Sequence, residues 1–196
     1  LAARPNDPEL LTDRAGALAT AGDSDAALAE LAAALARAPD HPLAHRFRAM
    51  IRRDRGDRAG AIADATEVLA HHPEDLEARR LRMSLRLDGK EWAAALEDLD
   101  AYLQQRPDDA VALANRGVAR LELGDAAGAV ADQEAAVRHN PGFISAHANL
   151  GHARRAAGDA RGAAAAFRAF LRLAPDDARA DEYRRLADAL DPEAVR

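Results

Sequence analysis

Apolar and small positions return along this chain with a period of 34 residues. Alanine recurs as Ala27, Ala61, Ala95, Ala129 and Ala163. An aliphatic residue follows at Leu28, Ile62, Leu96 and Val130, and Ala164 closes the series. Further on come Leu35, Leu69, Leu103, Val137 and Leu171, again in phase. Small residues let two helices approach closely, and the aliphatics fill the seam. Prolines keep the same beat at Pro5, Pro39, Pro73, Pro107, Pro141 and Pro175. A fixed period of this length predicts stacked helix–turn–helix units rather than one globular core.

Polar and glycine positions punctuate the pattern. Each unit has two helical stretches split by a Gly-centred turn, at Gly22, Gly56, Gly89, Gly124 and Gly158. Glycine supplies the left-handed residue that ends the first helix. Gly89 falls one residue ahead of the period. Asp23, Asp57, Asp125 and Asp159 are ready caps for the second helix. Pro8 and Pro42 stand where a first helix begins. Cutting after each periodic proline gives five units, 8–41, 42–75, 76–109, 110–143 and 144–177. Residues 1–7 read as the end of a preceding unit or a linker, and the chain as a piece of a longer one, since Leu1 is not an initiator methionine. The tail, 178–196, carries Tyr183, Leu186, Ala187 and Leu190 at helical spacing. It is expected to cover the last unit's apolar face, with Pro192 ending the helix.

The stretch Asn115-Arg116-Gly117, Leu123-Gly124-Asp125, Ala129-Val130, Asp132, Ala136-Val137, Asn140-Pro141 resembles a tetratricopeptide repeat. All five units match it in phase, from about residue 8 to residue 177. The resemblance implies an all-α fold, a right-handed superhelical solenoid of antiparallel helix pairs. It also implies a non-enzymatic scaffold that binds other proteins, without naming the partner.

Composition narrows the chemistry. The net charge of −6 is spread over interleaved acids and bases, which argues against a nucleic-acid binder. There is no cysteine, so disulfides, thiol catalysis and zinc–thiolate sites are excluded. No apolar run approaches the ~20 residues that cross a bilayer. The compartment stays open between cytoplasm and periplasm, and the Ala/Arg/Gly richness reads as a bacterial coding bias. No cofactor is expected, because glycines come singly, once per turn, and form no phosphate loop. His41 and His45, and His71 and His72, lack a third ligand at metal-binding spacing. No Ser/His/Asp arrangement is visible. His45 and His147 hold equivalent places and are expected to pack at the helix–helix seam.

In this family the first helices line a concave groove, and carrying that over gives the candidate binding set. Arg46, Phe47, Met50 and Arg53 come from the second unit, and Arg80 and Ser84 from the third. Asn115 and Val118 come from the fourth, and Asn149 and His152 from the fifth. Asn115 and Asn149 are equivalent, and stacked amides suit a peptide backbone; the alternative is a capping or solvent-facing pair. Arg46, Arg53 and Arg80 beside Met50 suit an acidic segment; the alternative is a solvated face with Asp54 and Glu77 as local partners. The partner is thus a protein or peptide, with an acidic one the working expectation and self-association through the amino end another. The alternative function is a regulatory or substrate-docking region of a larger enzyme or of a secretion or assembly component.

Arg48, Arg82 and Arg116 also keep the period, as do Arg52, Arg86 and Arg120 one turn later. So do Asp64, Asp98 and Asp132 on the second helices. Unit one has Arg14 with Glu30 instead, and unit five has Leu150 with Ala166, so base and acid disappear together. Paired loss predicts Arg48–Asp64, Arg82–Asp98 and Arg116–Asp132 contacts across each helix pair, a structural rather than a ligand-binding row. Replacing Asp98 by Ala should then lower the melting temperature, at a cost of about 3–5 kcal/mol if a buried pair is broken. An unchanged melting curve would refute the pairing.

Overall fold

The computed structural model describes residues 7–195. These residues form eleven α-helices, a final 3-10 turn and no strand. They fall into two compact units, the first ending at Gly89 and the second beginning at Lys90. The first unit holds α1 (Pro8–Thr20), α2 (Ser24–Leu35), α3 (Pro42–Asp54), α4 (Arg58–His71) and α5 (Leu76–Asp88). The second holds α6 (Trp92–Gln105), α7 (Ala110–Glu122), α8 (Ala126–His139), α9 (Ile144–Ala156), α10 (Ala160–Leu173) and α11 (Ala180–Leu190), then the 3-10 turn Pro192–Val195. Within each unit successive helices pack on one another, and the odd-numbered neighbours α1 and α3, and α7 and α9, also touch.

The helix ends follow from local sequence. Asp23, Asp57, Asp125 and Asp159 each accept a hydrogen bond from the amide three residues on, at 2.8–3.0 Å. Asp7 caps α1 through the amide two residues on, Asp75 caps α5 through the amide three on, and Asp109 caps α7 through both. These side chains satisfy amides that the helix cannot pair internally. Pro8 and Pro42 occupy the first helical turn. The periodic prolines from Pro39 to Pro175 lie beyond the ends of α2, α4, α6, α8 and α10. Pro5 falls outside the described residues.

One turn departs from the expectation. Gly22, Gly56, Gly124 and Gly158 have φ of +79° to +88°. Gly89 does not: its φ is −84°. The left-handed residue stays in phase and is Lys90, at φ +57°. The left-handed conformation thus keeps the 34-residue period of the other four turns, although the glycine does not. Gly89 has a steric use instead, since a Cβ there would run into the Arg58 guanidinium.

The core is a seam of small residues. Ala27, Ala61, Ala95, Ala129 and Ala163 are all 0% exposed. In the first unit Leu11, Ala15, Leu31, Leu35 and Ile51 pack around Ala27. In the second, Phe167, Phe170, Tyr183 and Ala187 gather around Ala163 and Ala164. Two glycines on first helices make room for bulk opposite. A Cβ on Gly151 would overlap the Phe167 ring, and one on Gly117 would sit 2.6 Å from Gln133 Nε2. Gln133 is 1% exposed. Its Nε2 donates to the Ala114 carbonyl at 2.8 Å, while its Oε1 has no hydrogen-bond partner.

A left-handed backbone costs a β-carbon-bearing residue about 1–2 kcal/mol, part of which glycine's extra unfolded entropy cancels. Lys90→Gly should therefore stabilise the protein by about 1 kcal/mol, a rise of about 2–4 °C in melting temperature. A fall in melting temperature would show that Lys90 contributes a contact that outweighs the strain.

Candidate functional site

The arginine rows are largely consumed by the architecture. Asp64, 2% exposed on α4, receives Arg48 Nη2 at 2.6 Å and Arg52 Nη1 at 2.8 Å from α3. His45 Nδ1 stands 3.2 Å from the same carboxylate, and its Nε2 meets the Pro39 carbonyl at 2.6 Å. Asp132, 3% exposed on α8, receives Arg116 at 2.7 Å and Arg120 at 2.8 Å from α7. Arg116 also donates to Asp100 on α6 at 2.9 Å. One guanidinium thus ties three successive helices, and these bonds, Asp132 first, raise its already high pKa. Arg14 pairs with Glu30 as expected. Leu150 and Ala166 are buried where unit five lacks the pair. Arg82 and Asp98 belong to different units, and their pairing stays a sequence expectation.

The sequence reading did not find the link to the preceding helix. Asp100 and Glu134 are its acceptors, the latter holding Arg154 at 2.7 Å. Thr66 takes the equivalent place and accepts from Arg82 at 3.0 Å. The signal was present as polar residues at 66, 100 and 134, one period apart.

On the first unit, α3 and α5 carry six of the candidate binding residues. Met50 is 46% exposed. Phe47 is half-buried against the core, its ring edge over Gly16, where an added Cβ would be a tight 3.0 Å from the ring. Arg46 reaches Asp75 at 3.3 Å, Arg53 is 2.8 Å from its neighbour Asp54, and Arg80 is 3.3 Å from Glu77. Each of these three cations thus has a carboxylate partner on its own or a neighbouring segment. The Arg53 and Arg80 pairs are exposed, contribute little and exchange readily, while the Arg46–Asp75 pair is partly buried. Ser84 is exposed. Thr12, placed on the same face by register, is instead buried and donates to the Pro8 carbonyl at 2.7 Å.

On the second unit, α7 and α9 bring Asn115, Val118, Asn149 and His152 to neighbouring helices, all of them partly exposed. Asn115 and Asn149 make no side-chain hydrogen bond among the described residues, and neither caps a helix. Val111, at the start of α7, is 56% exposed. His152 is half-withdrawn into an aromatic cluster. Its ring lies edge-on to Phe167 at 5.2 Å and to Tyr183 at 5.7 Å between centroids. Tyr183 stacks on Phe167 at 5.1 Å and meets Phe170 edge-on at 4.7 Å, which seats α11 on α10. Burial pushes the His152 pKa down, and Arg155 and Arg179 push it the same way against Glu182. Arg179 lies over Phe170 and grips Asp177 through two bonds of 2.9 and 3.0 Å. Those bonds hold the Asp177 pKa at about 2.

The other histidines have local roles. His41 caps α3 at 3.4 Å, His147 meets the Pro141 carbonyl at 2.9 Å, and His71 and His72 sit beside Glu67 and Glu74. Among the described residues no three His, Cys, Asp or Glu side chains are grouped to hold a metal ion, and no helix is long and apolar enough to cross a membrane.

Antiparallel helix pairs with an alanine seam and Gly–Asp turns define a class of helical-repeat protein. A family model for the tetratricopeptide repeat matches residues 12–65, 48–110 and 84–142, and the chain belongs to that family. Solved structures agree on the fold. A TPR protein, YrrB, described as having an unusual peptide-binding site, is 16% identical with a TM-score of 0.86, over 93% of this chain and 94% of that one. MamA 41-end from Desulfovibrio magneticus is 22% identical with a TM-score of 0.76, over 87% of this chain and 97% of that one. A tetratricopeptide repeat protein from Parabacteroides merdae is 22% identical with a TM-score of 0.77, over 96% and 75% of the respective chains. No curated protein sequence matches the chain.

Two outcomes test this geometry. Asp132→Ala leaves Arg116 and Arg120 facing a buried gap and should cost about 3–5 kcal/mol. The double change Arg116→Leu with Asp132→Ala copies the Leu150–Ala166 arrangement and should recover most of that loss; equal loss in both variants would refute the pairing. His152 titrates below its ordinary value of about 6.5 when folded. The unfolded chain therefore takes up a proton that the folded chain resists, so stability falls as pH drops below about 6.5 and is unaffected above it. The difference between wild-type and His152→Leu melting curves against pH isolates this term, and parallel curves would refute it.

Proposed function

We propose that the chain is a non-enzymatic protein–protein interaction scaffold whose first helices hold an extended peptide or partner segment. The observation that carries this is the pair Asn115 and Asn149. The two amides occupy equivalent places on adjacent helices α7 and α9 and are not used by the fold. An amide both donates and accepts, so two of them one repeat apart can bracket an extended backbone without reading its side chains. Val118 beside them supplies apolar contact. On the first unit, Met50 offers an adaptable apolar surface, and Arg46, Arg53 and Arg80 can exchange their local carboxylates for those of an acidic ligand. In this reading each compact unit presents its own part of the candidate set, and Phe47 shapes that of the first while also packing on Gly16. The description of YrrB as peptide-binding is in keeping with such a role.

Peptides selected against the intact protein from a random display library test the proposal. Replacing both Asn115 and Asn149 by Ala should weaken the selected peptides by about tenfold to a hundredfold, the worth of two hydrogen bonds. The melting temperature should not change, because neither amide is used internally. Equal affinity in the double variant, or failure to select any peptide, would refute the reading.

A further inference from the structure

We propose that the last turns of α9 form an anion subsite, in which Arg155 and His152 receive an acidic side chain of the segment held along α7 and α9. The proposal rests on the peptide-binding reading above and adds what the segment must carry.

Arg154 and Arg155 are adjacent in sequence and opposite in fate. Arg154 is held by Glu134 at 2.7 Å and by the Gly162 carbonyl at 3.2 Å. Arg155 is exposed and makes no hydrogen bond or ion pair among the described residues. It follows His152 by three residues, and His152 follows Asn149 by three, so each side chain neighbours the next along the helix. A side chain of a segment gripped at Asn149 has His152 about one turn and Arg155 about two turns further along the same helix.

The surroundings favour an anion there. The element packed beside His152 on one side is α10, whose contribution is the uncharged Phe167. On the other is α11, which contributes Tyr183 and Glu182, with Arg179 just ahead of it. Arg179 already has its own carboxylate, Asp177, and an aromatic face. Two cations thus act on His152 against one acid, and only Arg155 has no anion of its own. The aromatic packing keeps water from one side of the imidazole, and a charge interaction is stronger in such a setting than in bulk water. A carboxylate can take the planar fork of Arg155 and one imidazole N–H. Its charge would oppose the effects that now lower the His152 pKa, so binding would favour the protonated ring. Affinity should then rise as pH falls through the ordinary histidine range.

The test uses N-acetylated, C-terminally amidated versions of the selected peptides, so that no terminal carboxylate is present. Asp or Glu should recur at one position. Changing that residue to Asn or Gln should weaken binding about tenfold, as should Arg155→Gln, and the two changes together should cost little more than either alone. NMR titration of the His152 ring in the unaltered protein should show its pKa rise with the acidic peptide and not with the amide version. Peptides that depend on Asn115 and Asn149 yet ignore both Arg155→Gln and their own acidic residue would overturn the subsite and leave the peptide-binding reading standing. Binding insensitive to Asn115 and Asn149 would overturn both.

Discussion

The close approach of paired helices is the constraint on which everything else in this protein depends. It is imposed by alanines that return every 34 residues and are completely buried. Aliphatics from Leu28 to Val130 follow those alanines and fill the seam, until Ala164 takes the place in the last repeat. The turns, caps and ion pairs are all fitted to that spacing. Lys90 takes the left-handed backbone that glycine takes in the other four turns, so that conformation keeps the period where the glycine does not.

Where the seam changes, size is exchanged across it. Gly117 and Gly151 give up their side chains to Gln133 and Phe167. The Phe167 exchange has a further consequence. It creates the aromatic surface on which Tyr183 docks, so the same substitution that fills the last helix pair also seats α11. Gln133 is the less comfortable solution. It keeps one hydrogen bond to Ala114 and leaves a buried oxygen without a partner, a state that ordinarily costs about 1–3 kcal/mol.

The arginines illustrate how architecture and recognition divide one residue type. Arg48, Arg52, Arg116 and Arg120 converge on Asp64 and Asp132, and are unavailable to a ligand. Buried pairs of this kind fix register more than they stabilise, and the leucine–alanine version in the fifth repeat shows that the fold tolerates their removal. What is left on the first helices is a sparse set of polar groups that the fold does not need. Asn115, Asn149 and Arg155 are the clearest of these, and recognition has to be built from them.

By itself, the sequence determined the period, the helix ends, the capping aspartates and the within-pair contacts of Arg48 with Asp64 and Arg116 with Asp132. Each of these is a local or strictly periodic relation, and a repeated chain states such relations several times over. The candidate set on the first helices came from the family resemblance and the same register. Only the tertiary structure decided that Thr12 is buried, that Phe47 rests on Gly16, that Arg116 also bridges to Asp100 and that His152 lies among aromatics from α10 and α11. Those facts depend on the size and reach of side chains on helices distant in sequence. The burial of Thr12, the Phe47–Gly16 contact and the His152 cluster occur once rather than at every repeat, so no internal comparison could reveal them, whereas the link to the preceding helix does recur, through polar residues at 66, 100 and 134.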